Sequence, residues 1–370
     1  MIFLYIFILL FLLYSLLIIY YWRAWISIPV YQPGKPAPVP VSVIIPARNE
    51  EQNIGSLLSA LEKQNYPAHL FEVIVVDDHS TDQTAAIVQQ NKQVRLSRLQ
   101  AEDINSYKKK AIETGIAASS GRLIVTTDAD CIPSPGWLST IVSFSLERGA
   151  VFVAAPVVYT NDQSLLQIFQ ALDFMTLQGI TGAAVHKKAL SMCNGANLVY
   201  EKDAFDKAGG FAGIDNIASG DDMLLMHKIW QQYPQQVYYL KAAEAIVQTQ
   251  PMKTWKQFFN QRIRWASKAG KYADRRITAV LLLVYLFNLS FLGLFIAGFQ
   301  QPVYWWYLLA GVVAKTIAEL PFLYSVASFF NKRSLLSYFF FFQPLHILYT
   351  ILSGLFGQFG KYEWKGRKVK

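Results

Sequence analysis

Apolar residues are concentrated at the two ends of the chain, and the region between them alternates between apolar and polar positions. Residues 2–22 form an uninterrupted apolar run, and further runs lie at 277–299, 303–330 and 335–359. A bilayer-spanning helix needs about 20 apolar residues, so each run is long enough to cross a membrane. No charge precedes the first run and Arg23 follows it, which favours a retained anchor with the following domain inside.

The C-terminal runs raise a question of topology. If the middle region is cytosolic, three crossings place the tail 361–370 outside the cell. That tail, KYEWKGRKVK, carries five basic residues, and such charge favours the cytosolic side. We therefore expect a cytosolic tail, with a last segment that is re-entrant or split where Gln343 and Pro344 interrupt it.

Between the apolar ends, short apolar runs alternate with segments of helical spacing. Glu50 and Glu51 are expected to open a helix in which apolar residues recur at helical intervals within 54–61, and a further helix is expected at 109–118. Repeated strand–helix–strand units predict an α/β fold with a mostly parallel, Rossmann-like sheet that carries helices on both faces. The predicted strands are 41–46, 71–78, 122–130 and 151–159.

Composition favours a membrane partner and argues against nucleic acid. Hydrophobic residues make up 53% of the chain and charged residues 16%, against about 25% charged in average soluble domains. The net charge is +9, but the basic residues cluster beside apolar runs, as in 268–276, where they serve orientation and lipid contact. Cys131 and Cys193 do not make a disulfide framework, and the histidines lack zinc-ligand spacing.

Polar clusters follow three of the predicted strands, at 46–50 (PARNE), 77–80 (DDHS) and 128–130 (DAD). Because the carboxyl ends of parallel strands share one edge of a sheet, we expect these clusters to form one cleft. Magnesium or manganese prefers one or two carboxylates plus substrate phosphates, so Asp130 is the first candidate ligand, with Asp128 beside it. The alternative is that both are solvated carboxylates that cap the next loop.

Further polar residues are candidates for contacts with a nucleotide and its phosphates. Asp77 or Asp78 can accept hydrogen bonds from a base or a ribose, although Asp78, Ser80 and Asp82 can instead build a turn and a helix cap. Lys108, Lys109 and Lys110 can approach phosphates as point charges, although such a run also suits a solvated helix start, and at most one of the three is expected to be functional.

Two later segments carry candidates for the acceptor side. In 219–222, Asp222 is the candidate general base that removes a hydroxyl proton, with Asp221 beside it; the alternative is an exposed turn before a helix. In 261–265, Arg264 can pair with a diphosphate and Trp265 can stack on a sugar. The alternative there is a juxtamembrane belt of basic and aromatic residues.

Taken in order, these segments resemble the family 2 glycosyltransferases, which have the GT-A fold. Each match alone is weak, but six in the same order and spacing form a specific pattern over most of 41–270. The matching segments are VSVIIPARNEE (41–51), VIVVDDHSTDQT (73–84), TTDAD (126–130), GANLVYEKDAFDKAGGF (195–211), GDD (220–222) and QRIRW (261–265).

The resemblance implies an inverting single displacement from a nucleotide sugar, usually a uridine diphosphate sugar, with Mg²⁺ or Mn²⁺. It makes Asp222 the base, with Asp221 beside it, and places the metal diphosphate at Asp128 and Asp130. The implied substrate-binding residues are Pro46, Arg48, Glu50, Asp77, Asp78, Lys108, Asp128, Asn197, Gln261, Arg264 and Trp265. There are two departures: the third acidic motif reads GDD where relatives often have TED or GED, and Lys108 lacks the usual preceding glycine.

The order of one span, a catalytic domain and a few further spans is similar to the lipid-modifying members, including ceramide glucosyltransferase-like enzymes and bacterial transferases that act on carotenoids or hopanoids. This implies a lipid or lipid-linked acceptor and a multi-pass protein of the cell (inner) membrane with a cytosolic catalytic domain. Apolar spacing in 165–175 suits either an interfacial helix or a core helix. The expected bounds are 1–24 for the transmembrane anchor, 25–40 for a Pro-rich linker, 41–271 for the GT-A domain, 272–360 for transmembrane or interfacial helices and 361–370 for the basic tail.

Three other functions remain open on the sequence. A processive polysaccharide synthase, of the poly-N-acetylglucosamine, hyaluronan or cellulose type, shares the Q-x-x-R-W element but needs a bundle of spans to thread its polymer. A non-catalytic nucleotide-sugar-binding or scaffold protein would have the same fold, although all the expected acids are present here. A transporter is disfavoured because too few of the apolar runs contain polar residues.

Overall fold

The chain is divided into two units. The computed structural model describes residues 2–34, 39–102, 104–160, 162–189, 192–217, 220–267, 274–359, 362–364 and 367–369. The apolar-helix unit comprises Met1–Ser27, Asn161–Ala183 and Pro251–Tyr362. The sheet unit comprises Ile28–Thr160, Ala184–Gln250 and Glu363–Lys370.

The helices and strands follow one another in an order typical of an α/β chain with long terminal helices. The helices are α1 (Ile2–Ser27), α2 (Ile54–Glu62), α3 (Thr84–Gln90), α4 (Tyr107–Ala117), α5 (Trp137–Arg148), α6 (Leu165–His186), α7 (Lys202–Lys207), α8 (Met223–Gln232), α9 (Trp255–Ala266), α10 (Arg275–Gln300), α11 (Val303–Phe329) and α12 (Phe339–Phe359), with 3₁₀ turns at Ala68–Leu70 and Arg333–Tyr338. The strands are β1 (Val41–Ala47), β2 (Phe71–Asp77), β3 (Val94–Arg98), β4 (Leu123–Thr126), β5 (Ile132–Pro133), β6 (Phe152–Ala154), β7 (Val157–Tyr159), β8 (Leu198–Glu201), β9 (Val237–Tyr239), β10 (Val247–Thr249), β11 (Tyr362–Trp364) and β12 (Arg367–Val369).

The sheet unit is built around a seven-stranded sheet, as far as the described residues extend, in the order β3-β2-β1-β4-β8-β6-β9. β1 pairs in parallel with β2 and β4, and β2 pairs in parallel with β3, whereas β8 runs antiparallel to both β4 and β6. A second sheet has the order β5-β10-β7, and β11 pairs with β12. The predicted α/β fold with a mostly parallel sheet is confirmed.

A close contact between α4 and the sheet brings the first turn of this helix near the residues that follow β4. The centre of β1 is fully buried at Val43, Ile44 and Ile45. At Gly115 of α4, an added Cβ would lie 2.5 Å from Ile44 Cγ2, so only a residue without a side chain allows the helix to approach so closely. The opposite end of α4 carries Lys108, which reaches the residues that follow β4.

Several predicted elements of the sheet unit have different bounds in the structure, and of the strand predicted at 122–130 only Leu123–Thr126 forms β4. The run 151–159, predicted as one strand, forms β6 and β7, which pair in different sheets. Pro156 lies between them and has no N–H to donate, while its carbonyl accepts a hydrogen bond from Val247 N at 3.0 Å. The helix expected from Glu50 begins only at Ile54, because residues 50–53 form a turn in which Asn53 N donates to Glu50 O at 2.9 Å.

The apolar-helix unit contains the predicted runs. Among the described residues, four segments are long and apolar enough to cross a membrane: Ile2–Ser27, Arg275–Gln300, Val303–Phe329 and Arg333–Gln358. The split expected at Pro344 is wrong, because α12 continues through that residue. Pro344 lies near the start of α12, so the hydrogen bond it cannot make is one to the first turn of the helix. The side of the membrane on which the tail lies stays a prediction.

Polar residues inside the apolar helices form a buried network. Lys315 Nζ lies 2.7 Å from Glu319 Oε1 and donates to Gln343 Oε1 at 2.7 Å. Gln343 Nε2 donates to Glu319 Oε2 at 2.6 Å, and the hydroxyl of Tyr14 donates to Glu319 Oε1. Burying a charge is unfavourable unless it is paired and hydrogen-bonded, and this network meets that requirement while joining α1, α11 and α12.

Candidate active site

The carboxyl ends of three parallel strands bring the predicted polar clusters to one edge of the sheet. Ala47 at the end of β1 is paired with Asp77 at the end of β2, and Ile44 of β1 is paired with Thr126 at the end of β4. β8 runs in the opposite direction, so its first residue, Leu198, lies opposite Thr126. The residues before β8 therefore share this edge with those that follow β4.

Lys108 joins two of the predicted acids. Its Nζ lies 2.8 Å from Asp128 Oδ1 and 3.1 Å from Asp221 Oδ2, and its side chain is 22% exposed. Burial alone would lower the pKa of Lys108, but the carboxylates of Asp128, Asp221 and Asp222 hold this pKa well above its ordinary value. One ammonium group thus compensates the negative charges of an acid that follows β4 and an acid in the segment before α8.

Gly195 is the point at which these side chains crowd together. A Cβ at this position would lie 2.8 Å from Asp221 Oδ2, 3.2 Å from Lys108 Nζ and 3.7 Å from Asp222 Cβ. Its carbonyl accepts a hydrogen bond from Thr126 Oγ1 at 3.3 Å, which ties it to the end of β4. The absence of a side chain at Gly195 therefore makes room for the Lys108 ion pairs.

Asp222 begins α8 and keeps part of its carboxylate accessible. Oδ1 accepts a hydrogen bond from Met223 N at 2.7 Å, and the residue is partly exposed. Gly220 has a φ of 84°, a left-handed conformation that favours glycine and lets the chain turn into the two acids. The alternative of a turn before a helix therefore describes the backbone correctly, and the same turn directs Asp221 to Lys108.

Asp128 and Asp130 occupy a turn after β4. Cys131 N donates to Asp128 O at 3.1 Å, and Cys131 Sγ lies 3.7 Å from Asp130 Oδ1. Burial, together with Asp130 and Asp128, raises the pKa of the Cys131 thiol, so it stays protonated. Within the described ranges, no group of three or more His, Cys, Asp or Glu residues is arranged to hold a metal. Two partly exposed carboxylates fit an ion whose other ligands come from phosphates and water.

The ends of β1 and β2 are joined by a network around Arg48. Its Nη1 donates to the carbonyls of Asp78 at 2.8 Å and His79 at 3.1 Å. Asp77 Oδ1 accepts from Ser80 N at 3.3 Å, so a turn follows β2. Asn49 and His79 have φ values of 52° and 53°, which are uncommon for residues other than glycine. Both lie just beyond strand ends, where such backbone strain often accompanies a binding function.

Comparison with known proteins relates part of the sheet unit to a protein family. The glycosyl transferase family 2 matches residues 42–209. Residues 42–209 are a family 2 glycosyltransferase domain. The GT-A fold is confirmed by a mannosyltransferase, PcManGT from Pyrobaculum calidifontis, solved in complex with GDP-Man and Mn²⁺: the TM-score is 0.57 and the identity 19%, over 91% of this chain and 94% of that one.

Two curated relatives extend the comparison in sequence. The probable glycosyltransferase YdaM of Bacillus subtilis (strain 168) is 28% identical over 234 residues, covering 61% of this chain and 54% of the relative. The beta-monoglucosyldiacylglycerol synthase of Nostoc sp. (strain PCC 7120) is 28% identical over 177 residues, covering 42% and 38%. The chain thus spans about half the length, or less, of these relatives.

Three of the predicted substrate-binding residues have contacts inside the sheet unit. Asn197 is buried, and its Nδ2 donates to the carbonyls of Pro156 and Ala245, both at 2.8 Å. Its Oδ1 accepts from Trp137 Nε1 at 3.0 Å, so these bonds brace the residues before β8. Glu50 Oε2 accepts from Asn53 Nδ2 at 2.7 Å. Pro46 pairs with Val76 across β1 and β2. Substrate contact by these three residues stays a prediction.

The three residues of the Q-x-x-R-W element lie on α9, in the apolar-helix unit. Thr254 caps this helix by accepting a hydrogen bond from Gln257 N. The residues are Gln261, Arg264 and Trp265, each partly exposed. Their participation in the reaction stays a prediction.

Sequence reasoning did not single out Gly195 or Arg262, and it considered Lys109 only as one of three lysines that could approach phosphates. Lys109 is buried and donates to Ile214 O at 2.9 Å and to Ile217 O, which anchors the segment before the GDD motif. Gly195 lies within a matching segment of the domain, and this was the one signal that pointed to it. The lysine pair at 108 and 109 resembles a solvated helix start, so sequence alone does not reveal its buried member.

Proposed function

We propose that this protein transfers a sugar from a nucleotide sugar, a uridine diphosphate sugar, to a lipid or lipid-linked acceptor at the cell (inner) membrane, with inversion and with Mg²⁺ or Mn²⁺. The observation that supports the proposal best is the meeting of Asp128, Lys108 and Asp221 at the carboxyl edge of a family 2 glycosyltransferase domain. A relative named as a monoglucosyldiacylglycerol synthase and the helices apolar enough to cross a membrane support the lipid acceptor.

In this proposal, Asp222 acts as the general base. Its partly exposed carboxylate takes the proton from an acceptor hydroxyl as that oxygen forms a bond to the anomeric carbon of the sugar. The bond from this carbon to the diphosphate oxygen breaks with its electron pair, and the nucleoside diphosphate leaves. Attack from the face opposite the leaving group inverts the anomeric configuration.

The diphosphate end of the donor meets Lys108 and the acids after β4. Asp128 and Asp130 would hold the divalent ion, which supplies a positive charge that stabilises the leaving diphosphate. Lys108 pairs with carboxylates in this structure, and an incoming phosphate offers it a further partner through a charge-assisted hydrogen bond. Asp77 and Asp78 at the end of β2 are the groups we assign to the nucleoside.

The test is transfer by membranes that contain the protein. They are incubated with a panel of radiolabelled nucleotide sugars, with Mn²⁺, with Mg²⁺ or with a chelator, and the lipids are then extracted. We expect label in the organic phase from one nucleotide sugar and only with a divalent ion. A labelled polymer would indicate a processive synthase instead of transfer to a lipid acceptor. The absence of transfer from every donor would contradict the proposal.

Replacement of Gly195 by alanine tests the crowded centre of the site. The new methyl group must displace the ends of Asp221 and Lys108, which lie 2.8 and 3.2 Å from the Cβ position. Both are ends of flexible side chains, so we expect little change in thermal stability. Because misplacement by about 1 Å can reduce a rate about 100-fold, we expect sugar transfer to fall by about tenfold to 100-fold.

The matched control for Gly195→Ala is Gly55→Ala in α2, where the nearest atom to an added Cβ is Ile87 Cγ2 at 3.9 Å. This contact is ordinary, and alanine favours a helix, so transfer should be unchanged. Equal transfer by Gly195→Ala and the wild type would show that the Lys108 ion pairs do not serve the reaction.

A further inference from the structure

Arg262 and Asp173 form a buried ion pair between α9 and α6. Arg262 Nη2 lies 2.6 Å from Asp173 Oδ2, and the two side chains are 3% and 4% exposed. The contact is an ion pair that is not aligned as a hydrogen bond, and Arg262 Nε and Nη1 have no hydrogen-bond partner among the described residues. The pair is therefore held chiefly by the attraction between the two opposite charges and by the side chains packed around them.

Asp173 is also anchored to α12. The hydroxyl of Tyr349 donates to Asp173 Oδ1, and His346 Nε2 lies 3.9 Å from the same oxygen. Tyr349 packs with Phe169 and Phe258 in a cluster of buried aromatic side chains. Asp173 therefore has a fixed place, because helices α6, α9 and α12 all contribute to its surroundings.

Aromatic rings enclose the guanidinium group of Arg262. Its central carbon lies 4.9 Å from the ring centroid of Phe258 and 4.2 Å from that of Trp265. These residues are four positions before and three positions after Arg262, so all three share one face of α9. The Trp265 ring also meets Phe174, the residue after Asp173, with centroids 6.3 Å apart.

We propose that Asp173 and Arg262 are positioning residues that set the orientation of the Trp265 indole for sugar transfer. Asp173 holds the guanidinium group by charge, and the guanidinium group holds the indole by a cation–π contact. A planar guanidinium stacks on an aromatic face, whereas an ammonium is a compact point charge. The contribution to transfer rests on the proposed function and on the predicted role of Trp265 in substrate binding.

The central experiment removes both charges together. Loss of one partner leaves an uncompensated buried charge and destabilises a protein strongly, whereas removal of both is much milder. We therefore expect a lower thermal midpoint for Asp173→Asn and for Arg262→Met, and a midpoint near that of the wild type for the double variant. We expect the double variant still to lose transfer by about tenfold or more, as an increase in the KM for the acceptor, because the indole has lost its partner.

A second measurement reports on the indole itself and does not depend on activity. The protein is labelled with 5-fluorotryptophan, and the ¹⁹F resonance of Trp265 is assigned from its absence in Trp265→Phe. We expect this resonance to move in the double variant and in Arg262→Lys, which keeps the charge that Asp173 needs but loses the planar group. Arg262→Lys also serves if the double variant fails to fold.

The matched control is the pair Asp162 and Lys332, whose atoms Oδ2 and Nζ lie 2.6 Å apart in the same unit. Removal of both charges there should leave the Trp265 resonance and the acceptor KM unchanged. A stable Asp173→Asn/Arg262→Met protein with wild-type transfer, or with an unmoved Trp265 resonance, would overturn the positioning role. If the wild type transfers no sugar from any donor, the proposed function fails, and the resonance alone decides whether the pair orients the indole.

Discussion

Replacement of Asp222 by asparagine is expected to reduce kcat by about 10²-fold to 10⁴-fold, the usual contribution of a general base. Asparagine has nearly the same shape and cannot take up the acceptor proton. Its side-chain oxygen can still accept the hydrogen bond from Met223 N that caps α8, and asparagine caps helices as well as aspartate does. The loss should therefore appear in transfer, with the thermal midpoint and donor binding little changed.

The control for this change is Asp274→Asn. Asp274 caps α10 by accepting a hydrogen bond from Arg276 N at 2.9 Å, so the chemical change is the same at the start of another helix. We expect normal transfer from this variant. If Asp222→Asn keeps wild-type kcat while binding of the nucleotide sugar is also normal, Asp222 is not the base and the proton has another acceptor.

Replacement of Asp130 by asparagine is expected to abolish most of the transfer that depends on a divalent ion. A bound ion contributes several kcal/mol to stabilising a leaving phosphate, and about 1.4 kcal/mol corresponds to tenfold in rate, so a loss of about 10²-fold to 10³-fold is expected. The same loss should follow chelation of the wild type. The measurement is the initial rate against Mn²⁺ concentration, where Asp130→Asn should need far more metal.

Glu113→Gln is the matched control for Asp130→Asn. Glu113 is an exposed acid of α4 that pairs with Lys110 Nζ at 2.7 Å, so this change also removes one carboxylate but leaves the edge of the sheet intact. Its dependence on Mn²⁺ should match that of the wild type. Undiminished transfer by Asp130→Asn at low Mn²⁺, or full transfer after chelation, would contradict the assignment of this acid to a metal.

The long elements of this protein follow from its sequence because their patterns are local. Runs of about 20 apolar residues predict membrane-length helices, and the structure has such helices at the expected places. Short apolar strands that alternate with helical segments predict a parallel sheet, whose carboxyl ends share one edge for geometric reasons. The alternating pattern alone therefore predicts that Asp128 shares this edge with the polar residues at the ends of β1 and β2.

The short elements and the long-range contacts could not be predicted in the same way. β8 has four residues and β9 has three, too few to show a period, and the reversal of β8 brings Gly195 to the site. The pairing of Lys108 with both Asp128 and Asp221 depends on that reversal and on the approach of α4 at Gly115. A lysine run looks the same in sequence whether its members are solvated or buried.

The apolar helices, the α/β core and the order of the acidic motifs can be predicted from the sequence, because each depends on residues that are neighbours in the chain. The folded structure is needed to show that Lys108 compensates two acids, that Asn197 braces the segment before β8, and that Asp173 holds Arg262. These contacts join residues far apart in the chain. Packing and the need to pair buried charges determine which residues are in contact. Local sequence patterns do not predict these contacts.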